Sequence, residues 1–138
     1  MDREKAIKYM HDLLRTMVEK DGSDLFVTAG AVPSIKVDGE MKPLSNQSLN
    51  PQHTQILVSS IMNDKQRSEF EETQECNFAI SLPGLSRFRV NAFNQTRGCA
   101  AVFRTIPTEI PTLEQLSAPK IFENISDMEK GLVLVTGP

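Results

Sequence analysis

The sequence predicts an α+β fold, an antiparallel sheet flanked by helices, and three observations carry that expectation. Apolar residues near the N-terminus recur at three- and four-residue steps, the period of one helix face. Residues 75–106 instead alternate apolar and polar with period two between short turns, as strands with one buried face do. Cap-forming residues stand ahead of two further segments, which places helices between the early strands and the late ones.

The elements follow in order. Ile7, Met10, Leu14, Met17 and Val18 form the apolar stripe of a first helix, with Gly22 expected as its C-cap. "SDLFVTAG" is a short strand rich in β-formers. In "PSIKVDGEMKPL", Ile35 and Val37 alternate with Lys36, and Asp38-Gly39 is a strong hairpin signal. Asn50-Pro51 supplies a cap and an N1 proline to a second helix carrying Ile56, Leu57, Ile61 and Met62. Asn63 caps a third, highly charged helix that runs to about Glu72. "ECNFAISL", "SRFRVNAF" and "CAAVFRTI" are then three strands of a meander, with turns at Pro83-Gly84 and Arg97-Gly98. Beyond Pro107 the texture changes to short helical pieces, "TLEQL" behind Thr112 and "PKIFENI". Residues 107–130 read as a linker rather than core.

Composition narrows the class. A chain of 138 residues fits one domain and buries enough surface for its own core. Its net charge of −3, with 15 dispersed Lys and Arg, argues against nucleic acid or an anionic membrane as the main partner. No apolar run approaches the ~20 residues that span a bilayer, and the charged N-terminus lacks a signal-peptide core. Cys76 and Cys99 lack CxxC spacing and read as two free thiols. His11 and His53 are isolated from each other and from any acidic cluster, so neither metal nor catalysis is assigned to them.

Two stretches point toward phosphate. Arg87, Arg89, Arg97 and Arg104 lie in or between two adjacent strands, and strand alternation turns Arg87 and Arg89 away from Phe88 and Val90. Guanidinium is permanently charged and forks onto phosphate oxygens. The competing reading is a solvated sheet face with cross-strand ion pairs. The second stretch is "GLVLVTGP". Four consecutive apolar residues suit a strand covered on both faces, and a glycine directly behind it is how a phosphate-binding loop opens. Only Gly137 and Pro138 of such a loop are present, and taken alone they read as an ordinary strand-to-turn junction. Asp24, beside Ser23 at a strand start, reads as a turn or cap residue. No nucleophile–base–orienter set is visible.

Together the segments "GSDLFVTAGAVPSIKVDGE", "RFRVNAFNQTRGCAAVFRTIP", "IPTLEQL" and "GLVLVTGP" resemble one family, the type IV pilus retraction ATPases of the PilT/PilU group of secretion ATPases. The likeness runs over nearly the whole chain. It implies a PAS-like N-terminal domain at 1–106, an interdomain linker with short helices at 107–130, and the first strand and Walker A start of a RecA-like ATPase domain at 131–138. On this likeness the chain is truncated where the motor core begins, and the residues that bind and hydrolyse ATP lie past Pro138. The chain alone is then no enzyme, whereas the parent is a hexameric, cytoplasmic P-loop motor using ATP and Mg²⁺. The resemblance further implies work at the inner membrane through a platform protein of the pilus machine, without membrane insertion, to withdraw pilin in twitching motility.

The resemblance also implies that the N-terminal domain regulates and helps to assemble the hexamer, and that it offers arginines to bound nucleotide. The nucleotide-binding positions are therefore expected among Arg87, Arg89, Arg97, Arg104, Gly137 and Pro138. Phe26 resembles the PilU branch, where PilT-type chains carry His, whereas "RFRVNAFNQTRG" and "AVFRTIP" resemble PilT; both subgroups stay open. The alternative reading is a free-standing PAS-like module that binds a small ligand or a protein. A tail strand without neighbours is further expected to pack back onto the sheet or to pair with a second copy.

Overall fold

The computed structural model describes residues 2–138, which fall into two compact units dividing between Thr108 and Glu109. In the first, α1 (Arg3–Glu19) leads into β1 (Asp24–Thr28) and the hairpin β2 (Ser34–Val37) and β3 (Glu40–Pro43). Two helices follow, α2 (Pro51–Ser60) and α3 (Asp64–Thr73). The meander β4 (Glu75–Leu82), β5 (Ser86–Gln95) and β6 (Gly98–Ile106) completes the unit. All six strands join one sheet in the order β3-β2-β1-β6-β5-β4, each pair antiparallel. The expected α+β architecture is therefore present, and the last strand lies at the sheet's centre beside the first.

Local chemistry accounts for the element ends. Asp2 and Asn50 accept from the backbone N–H of Lys5 and His53, closing the first turns of α1 and α2. Asn63 and Gln66 form a reciprocal capping box on α3. Asp38 and Gly39 both have positive φ, 51° and 81°, the signature of the type I′ turn whose twist suits a hairpin.

The core lies between α1, α2, α3 and one face of the sheet. Leu25 and Val27 of β1, Phe88 and Val90 of β5 and Phe103 of β6 are fully buried against Met10, Leu14, Met17 and Leu57. Each such side chain contributes about 1.5–3 kcal/mol by leaving water. That burial fixes the strand faces, because a register slip of one residue would turn every core side chain to solvent.

Four expectations need correction. The left-handed residue closing α1 is Asp21 (φ 54°), while the Gly22 N–H reaches back to the Met17 carbonyl at 2.8 Å. Gly22 is needed instead for space, since a Cβ there would stand 3.2 Å from Met17 Cγ. The β5–β6 turn is Thr96-Arg97, with Gly98 already paired to Gln95. Thr112 caps as expected and Gln115 returns the bond, but "TLEQL" makes one turn and no helix. A helical nucleus is costly, and one turn without propagation does not repay it. Finally, Gly131–Pro138 form no strand, because a strand needs a hydrogen-bonded neighbour and this segment has none among the described residues.

The second unit, Glu109–Pro138, contains one short helix, α4 (Ile121–Ser126). It buries no apolar side chain, and Leu132, Leu134 and Val135 are exposed.

Candidate functional site

The sheet face opposite the helices carries the polar side chains that strand alternation leaves outside the core. In β6, Cys99, Ala101 and Phe103 alternate onto the core face, so Val102 and Arg104 point the other way. In β5 the buried residues are Phe88, Val90 and Ala92, so Arg87, Arg89 and Asn91 share that outer face. Register then sets who stands beside whom. Arg104 is the Cα partner of Asp24 on β1 and of Arg89 on β5, and Asp24 is in turn the partner of Lys36 on β2. Lys36, Asp24, Arg104 and Arg89 thus form one row across four strands.

Within that row one contact is specific. Arg104 Nε donates to Asp24 Oδ1 at 3.1 Å, and Ser23 Oγ donates to Asp24 Oδ2 at 2.9 Å. Asp24 is almost buried, whereas the Arg104 side chain is 73% exposed. The carboxylate is therefore fixed from below while the guanidinium reaches into solvent. The Nε contact uses one of five N–H donors and leaves the two terminal Nη groups free of protein acceptors among the described residues.

Arg89 and Arg104 border an open depression of about 220 Å³, closed by Asn77, Asn91 and Val102. Asn91 Nδ2 donates to Asn77 Oδ1 across the β4–β5 pair, which ties up the amides. Arg87 lies two residues along β5, opposite Ile106 and Ser81, on the same face. Among the described residues neither Arg87 nor Arg89 has a carboxylate within ion-pair distance. A positive, exposed surface with free forked donors can accept an anion of phosphate type.

The four expected arginines all lie in the first unit, and the sheet does not group all of them. Arg87, Arg89 and Arg104 form one cluster. Arg97 sits in the turn at the far end of β5 and β6, about 20 Å further along the strand, beside Gly30, Thr28 and Gln95. Gly137 and Pro138 lie in the second unit, in chain without regular structure, and a Cβ at Gly137 would touch nothing within 4 Å. Asp24 is the residue that sequence reasoning missed, since it was read as a turn or cap residue. The signal that could have found it is a single carboxylate on the outward side of a strand in a face otherwise lined by cations.

The remaining chemistry-bearing residues stand apart from this face. Cys76 and Cys99 are free and buried. Burial pushes the Cys99 thiol up to about 11; burial, and then the Glu69 carboxylate, raise that of Cys76. Among the described residues no three His, Cys, Asp or Glu side chains are grouped to hold a metal ion, and no helix is long and apolar enough to cross a membrane.

The six-stranded sheet and its packed helices make the first unit an α+β domain. Its sequence is 47% identical over 127 residues to the type IV pilus retraction ATPase PilT of Pseudomonas aeruginosa, which covers 92% of this chain and 37% of that protein. It is 50% identical over 125 residues to the type IV pilus ATPase PilU of the same organism, covering 91% and 33%. It is also 44% identical over 126 residues to a twitching motility protein of Neisseria gonorrhoeae, covering 91% and 34%. The crystal structure of the pilus retraction motor PilT with bound ADP matches with a TM-score of 0.76 at 37% identity, over 92% of this chain and 37% of that one. The ATPase DotB of Legionella pneumophila shares the fold, with a TM-score of 0.71 at 20% identity over 91% of this chain and 36% of that one. No protein-family model matches. The chain is a homologue of the N-terminal part of the pilus retraction ATPases of the PilT/PilU group. It spans about a third of the length of the curated relatives it matches. The similar identities to PilT and PilU do not separate the two branches.

Proposed function

We propose that this chain is the N-terminal regulatory and assembly domain of a hexameric ATPase that powers type IV pilus retraction. In this reading its outer sheet face offers arginines to the phosphates of bound ATP. The single observation that carries the site is the cluster of Arg104, Arg89 and Arg87 on one exposed face, with Arg104 held at Nε and its Nη donors free. The homology to PilT and PilU supports the setting.

The residues fit the phosphate part of a nucleotide. Forked, permanently charged donors match its oxygens and stabilise charge that builds up during phosphoryl transfer. The adenine, the Mg²⁺ ion and the attacking water are left to the remainder of the motor, where residues 131–138 would begin the phosphate loop. There Mg²⁺, when bound, would neutralise phosphate charge. This chain alone is expected to turn over no ATP, since one glycine of that loop cannot replace its Lys and Ser/Thr. Residues 107–130 then connect the two domains, and the motor works in the cytoplasm against a platform protein of the inner membrane. Without its neighbours, the apolar segment 132–135 is the part of this chain through which copies would associate.

Of the two forms of the alternative, a free-standing module that binds a small ligand or one that binds a protein, the filled core disfavours the first. A small-ligand module needs an enclosed cavity, and here the space between helices and sheet is filled by Phe88, Phe103, Met10 and Leu57. Turnover of the full-length ATPase with each arginine changed to alanine tests the proposal. Loss with Arg104 or Arg89 is expected, and wild-type rates in all four variants would remove it.

A further inference from the structure

We infer that Asp24 is the positioning residue for Arg104: it orients a nucleotide-directed guanidinium through Nε and keeps the Nη fork presented. This rests on the proposal that Arg104 meets nucleotide phosphate. The geometry has three parts. Asp24 is fixed before it meets Arg104, being nearly buried at the start of a central strand with Oδ2 engaged by the Ser23 hydroxyl. It meets Arg104 at Nε, the one donor that leaves both Nη groups unspent. An end-on pair through Nη would have consumed the fork that recognises phosphate. It also stands on one side of Arg104 while Arg89 stands on the other, so the carboxylate draws the guanidinium away from a like charge.

Charge accounting along the row agrees. Lys36, Arg104 and Arg89 are three cations facing one another across β2, β6 and β5, and Asp24 is the carboxylate among them. Without it Arg104 has no hydrogen-bond partner among the described residues, and its long side chain regains rotamer freedom. The loss would then appear in how often the guanidinium occupies the productive position. Displacements of about 1 Å can cost on the order of a hundredfold in rate.

Two readouts test this. In this chain, the ¹⁵N–¹H signal of Arg104 Nε is expected to be downfield and slow to exchange. Asp24→Ala should abolish that signature, and Asp24→Asn, which keeps an acceptor oxygen but no charge, should retain part of it. In the full-length ATPase, Asp24→Ala is expected to lower kcat about ten- to a hundredfold, with Asp24→Asn in between. In an Arg104→Ala background neither change should lower it further. Because Asp24 is nearly buried, thermal midpoints are measured alongside, and Asp24→Asn serves if Asp24→Ala does not fold. Impaired Arg104→Ala together with unimpaired Asp24 variants, or equal losses from Asp24 variants with and without Arg104, would overturn the inference alone. A wild-type rate in Arg104→Ala would instead overturn the phosphate reading on which it rests.

Discussion

Arg89 and Arg104 are direct cross-strand partners on β5 and β6, two cations facing each other on one exposed sheet face. Like charges so placed are destabilising by a few tenths of a kcal/mol, more at low salt. Such a row fits the proposal that this face meets an anion. Arg89→Ala should therefore leave stability unchanged or raise it by about 0.2–0.5 kcal/mol. Added salt should stabilise the wild-type chain more than the variant. Urea denaturation at two ionic strengths measures both.

That partnership was within reach of the sequence, and its neighbour was not. A two-residue turn at Thr96-Arg97 fixes every pair of the β5–β6 hairpin, including Arg89 with Arg104. Placing the turn one residue later, at Arg97-Gly98, shifts that register. The pairing of Asp24 with Arg104 joins residues 80 apart through the contact of the first strand with the last. No local periodicity encodes such a pairing, because it depends on the order of strands in the finished sheet. Caps at Asn50 and Asn63 and the Asp38-Gly39 turn were legible because their chemistry is local. The tail at 131–138 was legible as apolar but not as structure, since strand formation depends on a partner outside the segment.

Gly98 and Gly84 should respond differently to alanine. Both have positive φ, 133° and 75°. At Gly98 a Cβ would also stand 3.1 Å from the Cβ atoms of Ala29 and Pro51, whereas at Gly84 it meets nothing within 4 Å. Gly84→Ala is expected to lower stability by about 1 kcal/mol from backbone strain, and Gly98→Ala by clearly more. Thermal unfolding of the two variants side by side checks the order.

Asn63→Ala removes one half of the capping box and strands the other half, Gln66. The expected loss is about 1 kcal/mol. Asn63→Asp or Asn63→Ser should restore most of it, and chemical denaturation reads the difference.

The buried thiols set the alkaline limit. Burial pushes the Cys99 thiol up to about 11 in the folded chain, from the ordinary thiol value of 9.0. Its folded pKa is raised, so its contribution to stability is complete below about pH 9 and is lost as pH climbs toward 11. Cys76 shifts in the same direction. Stability is expected to fall across that window, and to fall less in Cys99→Ala after correction for the lost packing. Neither thiol should react with a thiol reagent at pH 8 until the chain is unfolded.

ATP turnover by the full-length motor, measured for Arg87→Ala, Arg89→Ala, Arg97→Ala and Arg104→Ala under saturating nucleotide, tests the arginine face most directly. The expected result is a loss of about 10³-fold or more in Arg104→Ala or Arg89→Ala, with the folded state intact and Arg97→Ala, at the far end of the sheet, much less affected. Wild-type turnover in all four variants would contradict it and leave the row from Lys36 to Arg89 as sheet surface only.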